Sequence, residues 1–179
     1  MKWNKKSSEY LLKTKYLKVR QDCVELSNGI VLDDYFIVEK NNVSLIVAID
    51  ENQNVILKKE YRYPIDRDLI ELPGGTFELN ETDPLSVAKR ELLEETGYQA
   101  EEWELLCTNY DYPTKDVNQV NIYLAKNIKM VAEQKLDITE DIEFKLIPLK
   151  DAIEMCMKND ICVNGSLAGL LMTARKYGI

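Results

Sequence analysis

Between Glu71 and Tyr98 the chain reads ELPGGTFELNETDPLSVAKRELLEETGY, which crowds acidic residues around a pair of glycines. On a helix, Glu91 and Glu95 are i, i+4 neighbours and Glu94 lies one turn beyond Glu91, so three carboxylates gather on one flank. A like-charge pair at that spacing costs roughly 0.2–0.5 kcal/mol. The acids also stand in the C-terminal half of the helix, where the dipole disfavours anions. Local physics would place lysines there. A solvated acidic face is the plain alternative for such a cluster, but Gly74 and Gly75 tip the balance. They let a backbone carbonyl turn inward as a further oxygen ligand and leave room for a phosphate. Clustered hard oxygens call for a divalent cation such as Mg²⁺. Arg90, four residues before Glu94, is spaced to hold that carboxylate in place.

The elements that must position these groups are marked in the sequence. Asp83 is a suitable N-cap, Pro84 fits the first helical position, and Gly97 fits a left-handed terminus. Leu85, Ala88 and Leu92 form the core-facing stripe. VSLIVAI from Val43 is a continuous apolar run, expected as a strand buried on both faces. VILKKEYRY, DLIELP, WELLCTN, VNIYLA and IEFKLIPL read as further strands. Helices are expected over 149–158 and about 166–177. Strands interrupted by helices predict an α/β fold, a mixed β-sheet in an α/β/α sandwich. Upstream, residues 17–40 predict a small antiparallel β-hairpin that turns at Asn28-Gly29. Two strands alone are barely stable in water, so this hairpin must pack on the main domain or on a second subunit.

Composition sets bounds. The chain has 179 residues, a 45% apolar fraction, a 30% charged fraction and a net charge of −8, which disfavours nucleic acid as a partner. It contains no histidine, which removes Ser-His-Asp and Cys-His catalysis and histidine-ligated zinc. Cys23, Cys107, Cys156 and Cys162 form no CxxC pair and fit reduced thiols in a cytoplasmic protein. The N-terminus lacks an apolar signal region, and no apolar run approaches the roughly 20 residues needed to cross a membrane.

Gly75-x5-Glu81 followed by Arg90-Glu91-Leu92-Leu93-Glu94-Glu95-Thr96-Gly97-Tyr98 resembles the Nudix box, G-x5-E-x7-R-E-U-x-E-E-x-G-U. Flanking residues resemble its ADP-ribose pyrophosphatase branch. These are Glu60-Tyr61-Arg62, Glu71-Leu72-Pro73-Gly74-Gly75, Pro113, Thr139-Glu140-Asp141-Ile142-Glu143 and the stretch from Ile161 to Leu170. The resemblance implies Mg²⁺- or Mn²⁺-dependent hydrolysis of a nucleoside diphosphate sugar, with ADP-ribose giving AMP and ribose 5-phosphate. It implies metal ligands at Glu91, Glu94, Glu95 and the carbonyl of Gly74. It also implies a catalytic group of Arg90, Glu94 and Glu95, and substrate contacts at Arg62, Glu71 and Gly75. A homodimer through the N-terminal strands is implied too, with Trp3 or Tyr16 either stacking on a base or simply packing. The expected division is an N-terminal hairpin and dimerisation region over 1–40 and a Nudix domain over 41–179.

The sequence departs from the pattern in three places. Eight residues, not seven, separate Glu81 from Arg90, so either Glu81 or Thr82 fills the box position. Asn118 or Gln119 falls where the branch has an acid after its Pro-Gly turn, and neither can act as a base. Ile138 falls near the glutamate of the later loop, leaving Glu140 as the choice for base or water-positioning group. A Nudix-fold protein that binds a nucleotide sugar without cleaving it is the alternative function.

Overall fold

A computed structural model describes residues 2–179. The backbone divides into two units. One runs to Asn42 and takes in Tyr110–Gln119; the other comprises Val43–Asn109 and Val120–Ile179.

The first unit is a three-stranded antiparallel sheet of β1 (Asn4–Lys13), β2 (Leu17–Glu25) and β3 (Val31–Lys40), with β2 in the centre. The expected hairpin is present as β2–β3. Its loop closes with Leu26 N–H donating to the Ile30 carbonyl at 2.8 Å, and Gly29 adopts φ 83°. Strand β1 carries no alternating pattern and is exposed throughout, which is why periodicity did not announce it. It is tied to β2 by the Ser8 hydroxyl, which donates to the buried Asp22 at 2.5 Å. The 110–119 segment lies along β3: Val38 N–H donates to the Lys115 carbonyl at 2.9 Å and Tyr35 Oη to the Thr114 carbonyl at 2.9 Å. Trp3 packs edge-on against Tyr35, while Tyr16 is largely exposed. Gln119 is used within this unit, its side chain donating to Tyr110 Oη at 3.0 Å.

The second unit contains, in order, β4 (Val43–Ile49), β5 (Asn54–Arg62), β6 (Arg67–Glu71), β7 (Gly74–Thr76), α1 (Pro84–Thr96), β8 (Tyr98–Gln99), β9 (Glu102–Asn109), β10 (Val120–Lys126), β11 (Lys129–Met130), β12 (Ile142–Pro148), α2 (Leu149–Met157) and α3 (Asn164–Tyr177). The main sheet runs β12-β5-β4-β10-β9, with β6 on β5 and β7 on β4. Strands β4 and β10 are parallel and the other pairs antiparallel, so the sheet is mixed. Strand β4 explains the VSLIVAI run. Ile46 and Ala48 pack with Ala88 and Leu92 of α1 on one face. Val47 and Ile49 pack with Leu149, Ala152, Ile161 and Leu170 on the other. The α/β/α layering follows from that two-sided burial. Each large side chain buried this way contributes roughly 1.5–3 kcal/mol.

The sheet is split where the site lies. Strands β4 and β5 pair only at Ile49–Val55, the closed end of their hairpin. Beyond it β5 continues with β6 and β4 with β7, so the Glu71-Leu72-Pro73-Gly74 segment crosses the gap. Leu72, fully buried, donates its N–H to Ser166 Oγ at 3.0 Å, and the Pro73 carbonyl accepts from Ile46 N–H at 2.9 Å. These bonds, one from β4 and one from the Ser166 side chain, satisfy the buried backbone of the crossing segment.

Candidate active site

Helix α1 has the expected termini. Asp83 accepts from the N–H groups of Leu85 and Ser86, at 3.3 and 3.0 Å, and Gly97 takes φ 74°. The stripe that begins with Ala88 and Leu92 ends on Glu95, so packing α1 on the sheet carries that carboxylate inside; Glu95 is 2% exposed. Glu91 is nearly as buried, and Glu94 is the most open of the three.

Arg90 collects the acids at one corner. Its Nε and Nη2 make a two-pronged contact with Glu81 at 2.8 and 2.9 Å, and its Nη1 lies 2.9 Å from Glu91 and 3.0 Å from Glu94. The question left by the long loop is thereby answered in geometry: Glu81 reaches Arg90 and Thr82 is exposed. The extra residue is absorbed before the helix, and Glu81 is held by a further bond from Glu78 N–H at 2.8 Å. Arg90 holds the Glu81 carboxyl below its ordinary range. Burial, reinforced by Glu95 and Glu94 and opposed by Arg90, raises Glu91 to about 7.

Gly74 and Gly75 have separate tasks. Gly74 takes φ 146°, and a side chain there would strike the Ser44 carbonyl and the Leu45 backbone. Its N–H donates to Glu95 Oε2 at 2.7 Å. A Cβ on Gly75 would instead overlap the Glu91 carboxylate. Gly75, expected at the substrate, lies directly against the Glu91 carboxylate.

The second corner of the site was not read from the sequence. Lys58 is 2% exposed, and its ammonium contacts Glu95 Oε1, with Glu60 Oε2 at 3.0 Å and the Gly74 carbonyl at 3.4 Å. Burial pulls this ammonium down, but Glu95 and Glu60 outweigh it and hold it above the ordinary lysine value. Burial keeps Glu95 raised despite Lys58. Period-two alternation from Ile56 places Lys58, Glu60 and Arg62 on the α1 face of β5, and that was the available signal. Arg62 makes a two-pronged contact with Glu71, at 2.9 and 2.7 Å, and reaches Glu60 at 2.7 Å. The two expected substrate residues therefore hold each other, and a continuous chain of opposite charges runs from Glu71 to Glu95.

Glu140 lies apart from this chain. Its loop is anchored to the end of α1, where Lys135 N–H donates to the Glu94 carbonyl at 2.8 Å and the Gln134 amide to that of Glu95 at 2.6 Å. These bonds satisfy carbonyls that a helix end leaves open. The Glu140 carboxylate accepts from Asp137 N–H at 2.9 Å, within its own loop, and Ile138 is fully exposed.

The donor set is all hard oxygen, and the close contact at Gly75 keeps Glu91 beside Glu94, so the residues fit a divalent cation. Among the described residues no three acids converge on a metal-sized space as they stand. Arg90 Nη1 holds one oxygen each of Glu91 and Glu94, and Lys58 holds one of Glu95.

Comparison with known proteins gives the family. Residues 39–160 match the NUDIX domain, and residues 3–38 match the Nucleoside diphosphate sugar hydrolase N-terminal domain. An ADP-ribose pyrophosphatase of Mycobacterium tuberculosis is 30% identical over 92% of this chain and 80% of its own length. One of Bacillus subtilis is 28% identical over 87% of this chain and 83% of its own. A solved structure described as an ADP compounds hydrolase superposes with a TM-score of 0.82 at 20% identity, covering 99% of this chain and 94% of that one, which bears on the fold alone. With the NUDIX match spanning well over half of its length and the box acids gathered around Arg90, the chain belongs to the Nudix family and is a Nudix hydrolase.

Proposed function

We propose that this Nudix hydrolase cleaves the pyrophosphate linkage of a nucleoside diphosphate sugar with Mg²⁺ or Mn²⁺, and that ADP-ribose is split to AMP and ribose 5-phosphate. The observation that carries the reading is the meeting of Glu91 and Glu94 at one Arg90 nitrogen beside Gly75. The relatives named ADP-ribose pyrophosphatase support the choice of substrate.

Glu91 and Glu94 would hold the cation, with Glu95 behind them. When bound, the cation offsets the pyrophosphate charge and lowers the pKa of the attacking water. The chain's own residues do the rest. Arg90, held by Glu81, keeps the two ligand carboxylates in register. Arg62 offers a phosphate the N–H groups that Glu60 and Glu71 leave free, and Glu71 fixes the plane of that guanidinium. Glu140 is the proposed base or water-positioning group. In that role its carboxylate leaves Asp137 N–H for the water. Water adds to one phosphorus, the bridging P–O bond breaks, and the leaving phosphate takes the electron pair.

The exposed Tyr10, Leu11, Leu12, Val31 and Phe36 of the first unit support a homodimer formed through its strands. Four free cysteines fit a cytoplasmic setting. The test is product analysis after incubation with Mg²⁺ and a panel of nucleotide sugars, dinucleotides and nucleoside triphosphates. Turnover of ADP-ribose above the others is expected; no turnover of any would overturn the reading.

A further inference from the structure

We propose that Lys58 is a built-in cation that stands in for a divalent ion at Glu95, so that the metal site of the resting protein is confined to Glu91 and Glu94. The inference rests on the metal-dependent reading above. Each oxygen of Glu95 has a partner inside the chain: Oε1 meets the Lys58 ammonium, and Oε2 accepts from Gly74 N–H at 2.7 Å. The same ammonium lies 3.4 Å from the Gly74 carbonyl, the other oxygen that the sequence offers to a metal. One buried positive charge therefore covers both remaining candidate ligands. A second cation on those atoms would have to displace a side chain that is 2% exposed and also paired with Glu60 at 3.0 Å.

Glu60 explains why the lysine stays. Its Oε2 is buried and has Lys58 as its charge partner but no hydrogen bond, while its Oε1 accepts from Arg62 at 2.7 Å. Moving Lys58 away would leave Glu95 buried without a counter-charge and Glu60 with Arg62 alone. Strand β5 fixes the point of departure, because Lys58 follows Ile56 on the face packed against α1. Lys58 is thus a positioning residue. It holds the Glu95 carboxyl group turned toward the Gly74 N–H, and it limits how many metal ions the cluster accepts.

Direct counting of Mn²⁺ by electron paramagnetic resonance, without substrate, tests this. The wild-type chain should take up a single tight ion. Glu95→Gln should leave its affinity within about threefold, whereas Glu91→Gln should weaken it about ten- to a hundredfold or more. Lys58→Met, checked for folding by circular dichroism, should bind a second ion; Lys58→Arg should bind one, as the wild type does. If Lys58→Met does not fold, the Glu95→Gln and Lys58→Arg titrations decide. Loss of the ion in Glu95→Gln as complete as in Glu91→Gln would overturn the inference, as would the same ion count in folded Lys58→Met and wild type. No Mn²⁺ uptake by the wild type would overturn the metal reading itself.

Discussion

Removing the charge of Glu91 should stabilise the metal-free protein while abolishing its activity. Glu91 is 7% exposed, and burial raises its carboxyl from the ordinary 4.5 to about 7 even with Arg90 at 2.9 Å. A carboxyl whose folded pKa lies above its unfolded value binds a proton more tightly in the folded state. Folding is then favoured most below pH 4.5 and loses stability as the pH rises through 7. The gap corresponds to about 3 kcal/mol at pH 8. Gln at 91 keeps the size and an acceptor for Arg90 and cannot ionise. In EDTA at pH 8, Glu91→Gln should melt above wild type by about 6–12 °C, the shift that 3 kcal/mol gives in a chain of this length. At pH 4.5 the two should melt nearly together. Adding Mg²⁺ at pH 8 should raise the wild type and leave the variant unmoved, because the ion binds the charged form. Thermal melts followed by circular dichroism measure all three. A variant that melts below wild type at pH 8, or an offset that is the same at both pH values, would refute the reasoning.

Gly75→Ala should fold normally, since the clash falls on the end of the Glu91 side chain, yet weaken Mn²⁺ binding about ten- to a hundredfold. Gly74→Ala should instead lower the melting temperature, because its clash falls on backbone and its φ is 146°. Glu81→Gln should reduce kcat about tenfold or more through a misplaced Arg90, while Thr82→Ala should match wild type in the same assay. Light scattering of the chain in solution should give twice the mass of one chain, and deletion of the exposed strand β1 should return it to one.

The geometry of α1 was legible because helical spacing is rigid. Asp83, Gly97 and the Ala88–Leu92 stripe fix the rotation of α1, and that rotation settles where Glu91, Glu94 and Glu95 can point. The mixed layered sheet was legible too, since VSLIVAI has no polar face to give to water. Strand β1 was not, because NKKSSEYLLK lacks alternation and owes its structure to pairing with β2. Lys58 was passed over because a lysine in a strand is usually a solvated edge residue. Alternation from Ile56 puts it and Glu60 on the α1 face, but Glu95, the other acid that receives it, lies 37 positions away, which alternation does not show. The position of Glu81 depended on how a loop absorbs one residue, which spacing alone cannot fix.

Hydrolysis by a cation held on the α1 acids is tested in one assay. Purified protein is incubated with ADP-ribose in Mg²⁺, and separately in excess EDTA, and the products are resolved by anion-exchange chromatography. AMP and ribose 5-phosphate should appear in equal amounts with Mg²⁺, and neither with EDTA or with Glu94→Gln. Turnover undiminished in EDTA, or tight binding of ADP-ribose with no product in Mg²⁺ or Mn²⁺, would contradict it.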